Sequence, residues 1–206
     1  MQSSFLAWML RMPLIKRWSL MYCVKPENIA EHSHQVAIVA HLLAVIKNKK
    51  FKGNINADKI STIALYHEAS ETRFGDIVSP TKYANNAIAR EFKKIELLAE
   101  QECLASLPED LQSLFSDIIV QDNVSAEYKA IVKAADIIVA YIKALDEINH
   151  KNPEFDHVEK RLKEKINAMM VDLPEVEYFI DTFLAACLAT VDKLSDSQSV
   201  NKEMLS

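Results

Sequence analysis

Glycine is nearly absent from this sequence, and its scarcity constrains the fold more than any other feature. Only Gly53 and Gly75 occur among 206 residues, where an average composition would give about fourteen. Phosphate-binding loops of the P-loop and dinucleotide-binding types need several glycines each, and tight β-hairpin turns favour glycine as well. The sequence therefore excludes P-loop NTPases and Rossmann folds, and it predicts an all-α chain with short connections.

Proline followed by glutamate marks the predicted helix starts, because both residues suit the first turn of a helix. The dipeptide occurs at 26–27, 108–109, 153–154 and 174–175. Apolar residues at helical spacing then outline about eight helices, over residues 3–10, 32–49, 57–72, 84–106, 109–119, 126–149, 154–171 and 175–193. We expect one compact domain over residues 1–194 and a polar C-terminal tail over 195–206.

The remaining composition narrows the class of protein. The net charge is -5, which disfavours nucleic-acid binding because phosphate backbones attract clustered Lys and Arg. Cys23, Cys103 and Cys187 are widely spaced and form no CxxC motif, so the sequence predicts a cytoplasmic protein without disulfides. No uninterrupted apolar run reaches the length of a membrane span, and we expect no membrane partner.

Polar side chains interrupt two helix faces that should be buried. The apolar stripe of the helix predicted over 57–72 ends in His67, Glu68 and Glu71. His67 and Glu71 share a face because they are four residues apart. Asp136 lies within a long apolar run of another helix. A buried carboxylate must be paired or bind a metal ion, and at Asp136 both an ion pair and a metal site are open.

A third helix carries another candidate metal ligand. His32 lies one turn before the core positions Val36 and Val39, so it faces the core. A lone histidine there is usually structural, but three separate helices each direct a nitrogen or oxygen ligand inward. Imidazole and carboxylate without thiolate suit Mn, Fe, Co, Ni, Zn or Mg. The other histidines are expected to be structural, supporting or exposed residues: His34, His41, His150 and His157.

The order H…HE…D on successive helices resembles the HD-domain metal phosphohydrolases, whose pattern is H…HD…D. Further segments resemble the bacterial 5′-deoxynucleotidases over about residues 3–190. The matching segments are 15–18, 31–33, 66–71, 75–76, 80–83 and 132–136. The resemblance implies an all-α HD-domain fold and a homodimer. It also implies hydrolysis of a deoxyribonucleoside 5′-monophosphate to deoxynucleoside and phosphate, with a divalent metal ion that is often supplied as cobalt.

The resemblance also assigns roles to individual residues. It implies that His32, His67, Glu68 and Asp136 hold the metal ion and that Glu71 is the acid/base group, with Asp76 also taking part in catalysis. It implies substrate contacts by Arg17, Trp18, His32, Asp76, Ile77, Val78, Ser79 and Asp136, and Lys82 is a further candidate cation. Glu68 departs from the family pattern, which has aspartate, and this predicts a change in metal affinity or metal choice.

Three functions remain open on the sequence alone. The first is a 5′-deoxynucleotidase in which Arg17 binds the phosphate and Trp18 lies beside the sugar and disfavours a 2′-hydroxyl. The second is another HD-type nucleotide hydrolase, acting on a phosphodiester or a triphosphate. The third is a nucleotide-binding protein whose catalysis Glu68 has weakened. No histidine lies between His67 and His150, so a single metal ion is expected.

Overall fold

The computed structural model describes residues 2–196, which form helices joined by short connections. Within this range no β-strand occurs, and the all-α prediction is confirmed. The α-helices are α1 Phe5–Met9, α2 Ile29–Lys50, α3 Ala57–Tyr66, α4 Glu71–Phe74, α5 Ser79–Lys82, α6 Asn86–Ala105, α7 Glu109–Ile119, α8 Ala126–Asn149, α9 Asp156–Met170 and α10 Pro174–Cys187. Short 3-10 helices cover Met12–Leu14, Gln121–Asn123 and Pro153–Phe155.

The main core is built from α2, α3 and α8; α9 packs against α8, and α10 packs against α2, α8 and α9. Most of the residues from Ile131 to Ala144 on α8 are buried, so this helix runs through the centre of the bundle. Helix α2 is long and apolar enough to cross a membrane, but half of its most apolar window is buried inside the bundle. In this fold it is a helix of the bundle core.

The predicted helix starts agree with the structure except at α2. Proline occupies the first position of α10 and directly precedes α7. Pro26 and Glu27, however, remain outside α2, which begins at Ile29 rather than at residue 32. Asn28 caps α2 because its side chain accepts hydrogen bonds from two backbone N–H groups, each at 3.0 Å. An asparagine cap therefore determines this helix start.

The largest departure from the sequence prediction lies at the end of α3. The spacing predicts one helix over 57–72, but α3 ends at Tyr66 and the separate helix α4 begins at Glu71. Between them several backbone bonds span three residues; Glu71 N–H, for example, donates to the Glu68 carbonyl at 3.1 Å. Side chains three residues apart line up in such a tightened turn. Glu71 is therefore aligned with Glu68, and its predicted alignment with His67 is wrong.

A second hydrophobic cluster holds this tightened turn in place. Ala69, at the centre of the turn, is buried together with Phe5, Cys103, Leu107 and Ile119. These residues come from α1, α6, α7 and the connection between the last two. The segment between α3 and α4 is therefore fixed by packing and is not a free surface loop.

The C-terminal helix is shorter than the sequence predicts. Helix α10 ends at Cys187 rather than at residue 193, and a new helical segment follows over 191–196. The Thr190 hydroxyl accepts a long hydrogen bond of 3.5 Å from Lys193 N–H, as a residue that caps a new helix does. Most of the predicted tail over 195–206 lies outside the described residues.

Candidate metal centre and substrate cavity

Four polar side chains converge in the interior where α2, α3 and α8 meet. His32 comes from α2 and Asp136 from α8, and His67 and Glu68 come from the turn that follows α3. One ligand atom of each residue lies within 4.8 Å of the others. These are the residues predicted as metal ligands, and the fold brings all four together. We call them the metal cluster.

A hydrogen bond to the backbone orients the His67 ring so that its Nε2 atom faces the other residues of the metal cluster. Its Nδ1 lies 2.6 Å from the carbonyl oxygen of Ala64 and donates to it, as a metal-ligating histidine commonly does with its other nitrogen. Its Nε2 is buried and has no well-aligned hydrogen-bond partner among the described residues, although a Glu68 carboxylate oxygen lies 3.3 Å away. An unpartnered imidazole nitrogen beside carboxylates fits a divalent cation such as Zn²⁺.

Asp136 makes an ion pair, as one of its two open alternatives predicts, and it also lies among the candidate metal ligands. One carboxylate oxygen, Oδ2, pairs with Lys133 Nζ at 2.7 Å, whereas Oδ1 lies 3.0 Å from Nε2 of His32 in the metal cluster. Burial would raise the pKa of Asp136, but Lys133 and His32 hold it well below its ordinary value. Burial lowers the pKa of His32. An ionised carboxylate and a neutral imidazole are the forms that bind a metal ion.

Glu68 joins the metal cluster to Arg17. Its Oε1 lies 3.3 Å from Arg17 Nη1. Burial would raise the pKa of Glu68, but His67 and Arg17 lower it, so this carboxylate is ionised. Burial would lower the pKa of His67, but Glu68 raises it. A cation that binds here needs the neutral imidazole, so it competes with protonation of His67.

Two further acidic side chains lie next to the metal cluster. Burial and the charges of Glu68 and Asp76 raise the pKa of Glu71 to about 11, so its carboxyl group is protonated at neutral pH. Burial also raises the pKa of Asp76. Gly75 lies between these residues with φ at 82°, a conformation that glycine adopts readily and other residues rarely do. It allows the chain to turn after α4, so that Asp76 lies close to the charges of Glu68 and Arg17.

A cavity of about 320 Å³ lies beside the metal cluster, within the range of small-molecule sites. Arg17 belongs both to this cavity and to the Glu68 contact, so the two features are continuous. The cavity is lined by Arg17, Trp18, Leu20, Met21, Asp76, Val78, Ser79, Pro80, Thr81, Val158 and Arg161. We call it the substrate cavity.

Most of the predicted substrate contacts reach this cavity or the metal cluster, and two do not. Arg17, Trp18, Asp76, Val78 and Ser79 line the cavity, and His32 and Asp136 lie in the cluster. Ile77 is not among the lining residues. Lys82 forms an ion pair with Glu96 of α6, so its positive charge is compensated within the fold.

Two residues near the cavity were not predicted. Glu27 accepts hydrogen bonds from Arg17 and Trp18, but the sequence marked it only as part of a helix start. Arg161 lines the cavity from α9 and has no ion-pair partner among the described residues. In the sequence it is one of several cations on the exposed face of an amphipathic helix, so no local signal distinguishes it.

The other histidines lie outside the metal cluster, in agreement with the sequence analysis. His34 and His157 are exposed, and the imidazoles of His41 and His150 are about half exposed, each 3.6 Å from an aspartate oxygen. The sequence therefore separated the two buried histidines from the four that solvent reaches.

Solved structures share this fold at low sequence identity. An HD-domain phosphohydrolase from Listeria innocua superimposes with a TM-score of 0.77 and 20% identity, covering 91% of this chain and 90% of the other. The HD phosphohydrolase DatZ of cyanophage S-2L, whose structure holds dA and one catalytic Zn²⁺ ion, gives a TM-score of 0.63 and 18% identity, covering 87% and 96%. The architecture is therefore that of HD-domain phosphohydrolases.

Sequence comparison narrows the assignment from fold to family. The model of the family described as 5′-deoxynucleotidase YfbR-like matches residues 4–187. The 5′-deoxynucleotidase VV1113 of Vibrio vulnificus is 46% identical over 194 residues, covering 94% of this chain and 99% of the relative. The 5′-deoxynucleotidase YfbR of Escherichia coli is 44% identical and covers 94% and 96%. The chain belongs to the YfbR-like 5′-deoxynucleotidase family.

Proposed function

We propose that this protein hydrolyses deoxyribonucleoside 5′-monophosphates to deoxynucleoside and phosphate at the metal cluster. The observation that supports this most directly is the convergence of four ligand side chains beside Arg17. As a member of the 5′-deoxynucleotidase family, the chain is a phosphoric monoester hydrolase. The substrate cavity begins at Arg17 and has room for a nucleotide next to the cluster.

A divalent metal ion fits the cluster because two imidazoles and two ionised carboxylates offer nitrogen and oxygen ligands. When bound, such an ion neutralises charge on the phosphate and lowers the pKa of a coordinated water. His32, His67, Glu68 and Asp136 would hold it. The described residues contain one such group, so we propose one ion per chain, with Co, Mn, Mg and Zn as candidates.

Arg17, Glu71 and Asp76 supply the remaining parts of the reaction. Arg17 binds phosphate oxygens through its guanidinium. Glu71 is the acid/base group: its carboxyl Oε2 has no hydrogen-bond partner among the described residues, and the carboxyl, protonated in the metal-free protein, must ionise before it accepts a proton from the attacking water. Asp76 lines the substrate cavity and either holds that water or protonates the leaving O5′ atom.

Trp18 is proposed to determine the preference for deoxyribose. It follows Arg17 in the sequence and lines the substrate cavity, so a sugar attached to a phosphate at Arg17 lies near the indole. The flat apolar ring offers no hydrogen bond to a 2′-hydroxyl in exchange for the water that this group would lose. Such a wall disfavours the ribonucleotide.

Phosphate release after metal removal and reconstitution tests the proposed function. The chelated protein is assayed with Co, Mn, Mg or Zn on the four deoxynucleoside 5′-monophosphates, on AMP, on dATP and on a cyclic nucleotide. We expect release from the deoxynucleoside monophosphates, with kcat lowered about 100-fold or more in Glu71→Gln because the acid/base group is lost.

His34→Gln provides the matched control, since it changes an exposed histidine of α2 and should keep full activity. Release from dATP or the cyclic nucleotide alone would favour the other HD-type hydrolases. Nucleotide binding without release under any metal would favour a binding protein.

A homodimer in the cytoplasm is also proposed. Leu6, Leu10 and Leu14, on and directly after α1, are each more than 60% exposed, and exposed apolar side chains near one another in the sequence suit a subunit contact. The three cysteines are unpaired, as in a reducing compartment. Light scattering that gives a monomer mass at micromolar concentration would contradict the dimer.

A further inference from the structure

One buried carboxylate lies behind both Arg17 and Trp18. Glu27 Oε2 accepts a hydrogen bond of 3.1 Å from Arg17 Nε and one of 3.0 Å from Trp18 Nε1. The residue is only 8% exposed. A single oxygen atom thus fixes the group proposed to bind phosphate and the ring proposed to lie beside the sugar.

The backbone around Glu27 is held independently of its side chain. Arg17 N–H donates to the Glu27 carbonyl oxygen at 3.0 Å, and an antiparallel bridge joins Lys16 and Asn28. Asn28 also caps α2. Removal of the Glu27 carboxylate therefore leaves these backbone contacts in place, and the chain is expected to fold.

Contacts such as the hydrogen bond from Trp18 to Glu27 matter because Trp18 has an unusual backbone conformation. Its φ is 57°, in the left-handed region that bulky residues rarely adopt and that surrounding contacts must maintain. The ring packs edge to face on Phe155, with centroids 5.3 Å apart. The hydrogen bond to Glu27 fixes the polar edge of the indole.

Arg17 is held at two of its nitrogens. Nε is bonded to Glu27 and Nη1 faces Glu68 at 3.3 Å, while Nη2 has no hydrogen-bond partner among residues 2–196. The guanidinium is planar by itself, and these two contacts fix its orientation. Little side-chain freedom is therefore lost when it binds a phosphate oxygen.

We infer that Glu27 is a positioning residue that sets phosphate affinity and deoxyribose selectivity together, an inference that rests on the proposed function. Glu27 itself touches neither phosphate nor sugar; it acts through Arg17 and Trp18. Because both bonds end on one oxygen atom, the two properties should weaken in parallel when the carboxylate is removed.

The test compares Glu27→Ala and Glu27→Gln with Trp18→Ala as reference. The matched control is Glu164→Gln, which removes a charge from an exposed position of α9. Steady-state kinetics on dAMP and AMP give KM, kcat and the deoxy-to-ribo ratio of kcat/KM. For Glu27→Ala we expect KM for dAMP to rise about tenfold or more and the ratio to fall toward that of Trp18→Ala. Glu27→Gln, which keeps an acceptor oxygen, should recover most of both properties.

Tryptophan emission supplies a readout independent of turnover. Trp8 and Trp18 are the two tryptophans, so a Trp8→Phe background reports Trp18 alone. Glu27→Ala should change its emission maximum, whereas Glu164→Gln should not. An unchanged emission, or an active Glu27→Ala variant with wild-type KM and selectivity, would overturn the inference. A wild-type chain that releases no phosphate under any metal would instead contradict the proposed function.

Discussion

At the scale of single residues, the Glu68 carboxylate contacts two parts of the site, the metal cluster and Arg17. Its Oε1 lies 3.3 Å both from Arg17 Nη1 and from His67 Nε2. An aspartate side chain would be shorter by one C–C bond, about 1.5 Å. The resemblance raised the question of whether glutamate can serve here, and the structure shows that its carboxylate reaches the cluster.

Glu68→Gln is expected to weaken binding of a divalent ion about tenfold to a hundredfold, a range seen even for residues that only support ligands. The amide removes a buried negative charge but keeps the shape. Glu68→Asp keeps the charge and should retain more affinity. Calorimetric titration of the metal-free protein with Zn²⁺ or Co²⁺ measures both, beside His34→Gln. Equal affinity in Glu68→Gln and wild type would show that Glu68 is not a ligand.

At the scale of elements, the tightened turn between α3 and α4 separates what the sequence could predict from what it could not. The long helices follow from apolar spacing, and the metal cluster follows from polar residues on buried faces. One turn of spacing cannot separate 3.6 from 3.0 residues per turn, so the alignment of Glu71 with Glu68 was not predictable. Glu27 was missed for another reason: its contact with Trp18, nine residues away, depends on how the irregular loop between them folds back on itself.

Helix α8 also anchors the segment that follows Trp18, through Glu147. This fully buried carboxylate accepts hydrogen bonds from the backbone N–H groups of Val24 and Lys25 at 2.8 and 3.1 Å, and from Lys143. Burial would raise its pKa, but these bonds and one from Asn152 lower it to about 2. Helix α8 thus holds both a metal-cluster residue and the loop beside the substrate cavity.

Glu147 is therefore expected to make folding stability depend on acid pH. Its folded pKa is depressed, so its stabilisation is complete above its ordinary pKa of 4.5 and is lost as pH falls toward about 2. Glu147→Gln should cost about 3 kcal/mol at pH 7, because Lys143 stays buried without a negatively charged partner, and less as pH falls through this window. Urea unfolding from pH 3 to 7 measures the difference. A constant penalty across the range would contradict the assignment, and the exposed Glu127→Gln is the control.

At the scale of the whole molecule, the metal cluster joins parts of the chain that are distant in sequence. His32 and Asp136 are 104 positions apart, and the turn between α3 and α4 adds His67 and Glu68. An ion bound here would cross-link α2, α8 and this turn, which also rests on the second hydrophobic cluster. Metal binding and global folding are therefore linked, since the unfolded chain cannot assemble the four ligands.

This linkage predicts that a divalent ion raises the melting temperature of the whole domain. A ligand at a hundred times its Kd contributes about 2.7 kcal/mol, and for a chain of this size each kcal/mol shifts Tm by roughly 2–4 °C. A rise of about 5–10 °C is therefore expected when the chelated protein is titrated with Co²⁺ or Zn²⁺. Asp136→Asn should lose the shift and His34→Gln should keep it, and scanning calorimetry measures both. A Tm that is the same with and without metal in the wild-type protein would mean that the four side chains form an ion-pair network and not a metal centre.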